Sequence, residues 1–109
     1  MTINEQIKAA VEAIVAVCVP DTYDGAADEY CTFNYSEDPD VFGDDLPELI
    51  RYLVQLHYYC PAGHNPIETK RKLRRAILAA DFTAPEITNA GDDETQHYVF
   101  EFEGFGGDV

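Results

Sequence analysis

Apolar residues at the start of the chain recur at helical spacing: Ile7, Ala10, Val11, Ile14, Val15 and Cys18 stand at i, i+3, i+4, i+7, i+8 and i+11. Thr2 followed by Glu5 has the spacing of a capping box, in which each side chain satisfies a backbone amide of the other. The pattern predicts an amphipathic first helix from Thr2 to about Val19. It must stop there because Pro20 disfavours helical geometry in the residue before it. Asp21 to Asp28 then reads as a turn-rich link.

The period next changes to two. Tyr30 to Ser36 sets Cys31, Phe33 and Tyr35 against Tyr30, Thr32, Asn34 and Ser36, and Ile50 to Cys60 sets Tyr52, Val54, Leu56 and Tyr58 against Arg51, Leu53, Gln55, His57 and Tyr59. Between them, Ser36 to Pro47 is acidic and carries two prolines and a glycine, which excludes a central strand and suits the tip of an antiparallel hairpin. Pro61 to Asn65 breaks the second strand. Asn65, Pro66 and Glu68 then have the residue types of N-cap, N1 and N3 of a second helix. Its arc of Thr69, Leu73, Ala76, Ile77 and Ala80 is apolar and the opposite arc is cationic. Phe82 to Thr88 reads as a third strand, Asn89 to Glu94 as a polar turn, and Gln96 to Glu103 as a fourth strand with Tyr98, Phe100 and Phe102 inward. The expected fold is α+β in the order α-β-β-α-β-β: a mainly antiparallel sheet of about four strands with both helices on one face. Residues 1–103 form the one domain and 104–109 a flexible tail.

Composition supports a folded chain. Its 109 residues suffice for one modest core, and 46% hydrophobic content with seven Tyr and six Phe outweighs a net charge of −14 that alone would suggest disorder. Such a charge repels phosphate at long range, which disfavours nucleic acid and anionic membrane as partners. The start lacks a basic leader and Glu12 interrupts the apolar stretch, so neither a signal peptide nor a membrane span is expected, and folding in the cytosol is. Cys18, Cys31 and Cys60, odd in number and far apart, suit reduced core thiols better than a disulfide framework.

Charge is distributed unevenly. Lys70, Arg71, Lys72, Arg74 and Arg75 are five of the seven basic residues, and without the segment 65–80 that holds them the chain has two basic residues against twenty acidic ones. On the second helix, Ile67, Arg71, Arg74 and Leu78 follow at i, i+4, i+7 and i+11, placing two aliphatic side chains on the cationic side. Ile67, Lys70, Arg71, Arg74, Arg75 and Leu78 therefore make a candidate docking stripe. The acidic loop Asp38, Asp40, Asp44, Asp45 and Glu48 is its natural complement on another copy, since a neighbour's guanidinium would relieve crowded carboxylates. The plainer reading gives both features to solvent. A nucleic-acid role for the stripe is disfavoured because no aromatic residue interleaves the cations.

Candidate chemistry is thin. His57, Cys60 and His64, with Cys31 as a fourth, superficially suggest zinc, but 57 and 60 point to opposite faces of a strand. A calcium loop starting at Asp38 has Asp40 and Gly43 in place but Phe42 and Leu49 where ligands belong. Pairing of Cys31 or Cys60 with His57 as a nucleophile has no supporting pattern. The glycines at 104, 106 and 107 precede no helix that could hold a phosphate. Among so many carboxylates, adjacency carries no signal for acid–base catalysis. No catalytic residue, metal or cofactor is assigned.

In its layout the chain resembles the tail-terminator, or tail-completion, proteins of long-tailed bacteriophages and prophages. The resemblance spans nearly the whole chain and rests on order and texture: the N-terminal helix, Tyr30-Cys-Thr-Phe-Asn-Tyr35, the acidic link Pro39 to Pro47, Leu53-Val-Gln-Leu-His-Tyr-Tyr59, the basic helix from Asn65-Pro66, Phe82, and His97-Tyr-Val-Phe-Glu-Phe102. It implies a non-enzymatic virion component, assembled in the host cytoplasm. That component would form a ring, typically of six subunits, that caps the tail tube and offers a surface to the head connector protein, with DNA only as passing cargo in an acidic channel. A closed ring needs one patch to meet a different patch, which the split charge would supply. The competing expectation is an acidic inhibitor or DNA mimic that occupies a nucleic-acid-processing enzyme. A mimic would gain nothing from a cationic helix. An enzyme of unknown chemistry, the third class, would require a deep apolar pocket with convergent polar groups.

Overall fold

In the computed structural model, which describes residues 2–38 and 50–106, two helices and a five-stranded mixed sheet make an α+β fold. The first helix, α1 (Ile3–Val11), opens on the expected capping box: the Thr2 hydroxyl accepts from the Glu5 amide at 3.2 Å, and the Glu5 carboxylate accepts from the Thr2 amide at 2.9 Å. It ends eight residues before Val19. Ile14, Val15 and Cys18 keep their apolar period, yet the chain turns after Glu12 and Cys18–Pro20 becomes a strand, β1. The β-branched series Val15, Val17, Val19 favours extended backbone, and β1 gains a ladder with the next strand in register Cys18↔Cys31. Val15 and Cys18 are buried all the same, so their spacing reported burial rather than helix.

β1 pairs parallel with β2 (Tyr30–Asp38), and β2 pairs antiparallel with β3 (Ile50–Pro61) as expected of a hairpin whose tip, residues 39–49, lies outside the described residues. Pro20, which has no amide to donate, sits on the outermost strand where that costs nothing. β4 (Glu86–Asn89) is shorter than the expected 82–88, and β5 (Thr95–Gly106) is longer than 96–103: Gly104 pairs with Tyr52, so residues 104–106 belong to the sheet rather than to a tail. Strand order is β1-β2-β3-β5-β4. The expected four antiparallel strands in the order α-β-β-α-β-β are therefore corrected to five in a mixed sheet, the additional one being the parallel edge strand β1.

The second helix, α2 (Ile67–Ala79), has Pro66 at the N-cap position, one residue later than expected; Asn65 still contributes, its side-chain oxygen accepting from the Ile67 amide at 3.1 Å. At the other end Asp81 adopts φ 69°, and the amides of Asp81 and Phe82 donate to the carbonyls of Leu78 and Ile77, a Schellman ending. That ending drives Phe82 into the core, where its ring occupies the space a Cβ on Gly104 would need, 2.5 Å away. One core results. Ile3, Ile7 and Val11 of α1 and Leu73 and Ile77 of α2 join Phe33, Leu56, Tyr58, Phe100 and Phe102 from one face of the sheet, with all three cysteines buried among them.

Candidate functional site

α2 is held from its first turn. The Gln96 amide donates to the carbonyls of Pro61, Ala62 and His64, which fixes the turn ahead of the helix; Tyr58 donates to Glu29 at 2.6 Å, and Glu29 also lies 3.3 Å from His64. With Leu73 and Ile77 fully buried, helical geometry leaves Arg71, Lys72, Arg74 and Arg75 outward, all exposed. Ile67 and Leu78, 59% and 44% exposed, bracket them, so two large aliphatic side chains stand in water on the cationic side.

Two of the expected cations have partners within the chain. The Lys70 ammonium lies 4.2 Å from the centre of the Tyr98 ring, a cation–π contact that turns it towards the sheet, and Arg71 reaches Glu68 of its own helix at 3.5 Å. Both members of the Arg71–Glu68 pair are more than half exposed, so the pair contributes little and releases Arg71 easily. Lys72, Arg74 and Arg75 meet no carboxylate among the described residues. The stripe Ile67, Arg71, Arg74, Arg75 and Leu78 is thus assembled on one exposed surface, with Lys70 at its inner margin.

The expected acidic partner is only partly visible. Asp38 is at the end of β2 and pairs with Arg51 of β3 at 3.0 Å, while Asp40, Asp44, Asp45 and Glu48 lie outside the described residues. Another acidic surface emerges from strand register. On the face of the sheet away from the helices, Glu86 of β4 stands directly opposite Glu101 of β5, and Glu103 follows two positions along. With Asn34, Leu53 and Gln55 these line a groove of about 640 Å³. Sequence reasoning missed it because the three glutamates share a face only once β4 is paired to β5 in this register.

The same outer face carries a row of rings. Tyr23, Tyr30, Tyr59 and His97 follow one another with centroids 4.7, 4.7 and 4.2 Å apart, and His57 closes the row with its Nδ1 2.8 Å from His97 Nε2. Burial lowers the proton affinity of both imidazoles; Glu101 opposes this at His57, and His57 reinforces it at His97. Alternation on β3 and β5 placed these residues outward, but their pairing across β3 and β5 required the register.

The metal and nucleophile combinations do not converge. His57 and Cys60 lie on opposite faces of β3, as their odd spacing requires, and His64 is held by Glu29. Among the described residues no three potential ligands gather, while the candidate calcium loop falls almost wholly outside them. Burial pushes the Cys18 thiol up to about 12 and raises Cys31 and Cys60 as well, which leaves all three un-ionised near neutrality. A further groove of about 600 Å³ runs between the helices, lined by Ala9, Ala10, Ala76, Ala79, Phe82 and Phe105. Compared with known proteins, the chain matches no family model and no curated sequence. Among the described residues no helix is long and apolar enough to cross a membrane.

Proposed function

We propose that the protein is a structural subunit that joins copies of itself head-to-tail into a ring, and that the ring completes the tail of a long-tailed bacteriophage or prophage, capping the tail tube and meeting the head connector. One observation carries the self-assembly: the outer face of α2 presents Arg71, Arg74 and Arg75 between exposed Ile67 and Leu78, on a chain whose remaining surface is overwhelmingly acidic. Exposed aliphatic residues among exposed cations, of which Arg71 alone has a weak partner in Glu68, have a use if an acidic, partly apolar surface covers them, and every other copy supplies one. Since donor and acceptor patches differ, each subunit keeps one of each free until a ring closes. The tail assignment rests on the layout resemblance, and an acidic channel would let DNA pass without adhering.

Light scattering on the purified chain at low and high salt, with and without tail-tube protein, tests this. The expected result is a discrete oligomer at low salt that loosens as salt screens the contact, visible as rings by electron microscopy. A strict monomer under all four conditions at high concentration would overturn the reading.

A further inference from the structure

The outer face of the sheet holds a charge arrangement that the subunit does not resolve internally. Glu86 and Glu101 are direct cross-strand partners, and like charges so placed repel. Arg51 lies 3.7 Å from Glu103, but among the described residues no Lys or Arg pairs with Glu86 or Glu101. His57, on the same outer face, binds a proton less readily than a free histidine because burial disfavours its charged form, with Glu101 opposing the effect. Leu53, 38% exposed, and Gln55 floor the groove beside these carboxylates.

We propose that this groove is the seat for α2 of a second copy, with Arg71 and Arg74 of one subunit meeting Glu86 and Glu101 of the next and an aliphatic end of the stripe covering Leu53. The assignment rests on the self-assembly proposed above and names the surface that receives the helix. Spacing supports it: side chains three apart on a helix are about 5–6 Å apart at Cβ, and directly paired strand residues about 4.5–5.5 Å. So does placement. α2 covers the inner face of the sheet with its cations directed away, and the groove lies on the outer face, so a single subunit cannot satisfy itself and the contact propagates head-to-tail.

Charge exchange tests the pairing. Arg71→Glu with Arg74→Glu, and separately Glu86→Arg with Glu101→Arg, should each weaken low-salt assembly by about tenfold or more, whereas all four changes in one chain should restore it. As a milder variant that keeps the fold, Glu86→Gln with Glu101→Gln should raise the monomer's melting temperature by removing the repulsion and still weaken assembly. The seat is overturned if assembly falls with the helix reversal but survives both groove variants, or if the four-fold exchange stays monomeric while folded. The same holds if Asp44→Lys with Asp45→Lys disrupts assembly in place of the groove changes. In each of those outcomes self-assembly through α2 still stands; a wild-type chain that never associates, or a helix reversal that leaves assembly unchanged, removes both.

Discussion

On its inner face the sheet presents Phe33, Leu56, Tyr58 and Phe100, all fully buried; one residue along the same strands, the outer face presents Asn34, Gln55, His57 and Glu101, none of them fully buried. The two faces share a backbone and differ only in parity, yet one face carries the core and the other stays largely open to solvent. The inner set repeats one message, burial, at every position, so losing one member leaves a void that the neighbours cannot fill. The outer set contains pairs that the isolated subunit tolerates rather than uses: two glutamates opposite each other and two imidazoles sharing a hydrogen bond.

The contrast can be broken most strongly from the inside. Phe100→Ala should lower unfolding free energy by about 3–5 kcal/mol in denaturant titration, while Gln55→Ala, on the neighbouring strand but outward, should change it by less than about 0.5 kcal/mol. A smaller effect is expected where the inner face is already full. In Gly104→Ala the new methyl would stand 2.5 Å from the Phe82 ring, forcing that ring off its seat under α2 at a cost of about 1–3 kcal/mol.

The smallest effect belongs to the outer face and depends on pH. His57 and His97 bind protons less readily than a free histidine at 6.5, first because burial disfavours the charged ring. The unfolded chain therefore takes up protons that the folded chain refuses as pH drops through 6.5, so stability should decline from neutral pH downwards and level off once the folded imidazoles titrate. Melting curves between pH 7.5 and 5 should show this slope in the wild type and a flatter one in His57→Gln with His97→Gln.

What could be read from the sequence follows the same division. Tyr52, Val54, Leu56 and Tyr58 announced the inner face because alternation is a local property, and Leu73 and Ile77 likewise announced the buried side of α2. The end of α1 was not legible. Ile14, Val15 and Cys18 obey helical spacing, and only the partner strand, through Cys18↔Cys31, decides that the chain extends there. Short β4 was obscured because Phe82, an apolar residue that looked like the start of a strand, is spent on the helix ending instead. The cationic stripe was legible because one helix carries all of it, whereas the glutamate groove and the histidine pair combine strands distant in sequence and exist only through register.

The self-assembly proposed for the outward side of α2 is tested most directly by sedimentation velocity at low salt on wild-type chain beside Arg71→Glu with Arg74→Glu, across a concentration series. The account predicts a concentration-dependent oligomer for the wild type and a monomer for the variant, with melting temperatures that differ little because exposed cations contribute little to the fold. Identical sedimentation of the two proteins would contradict it.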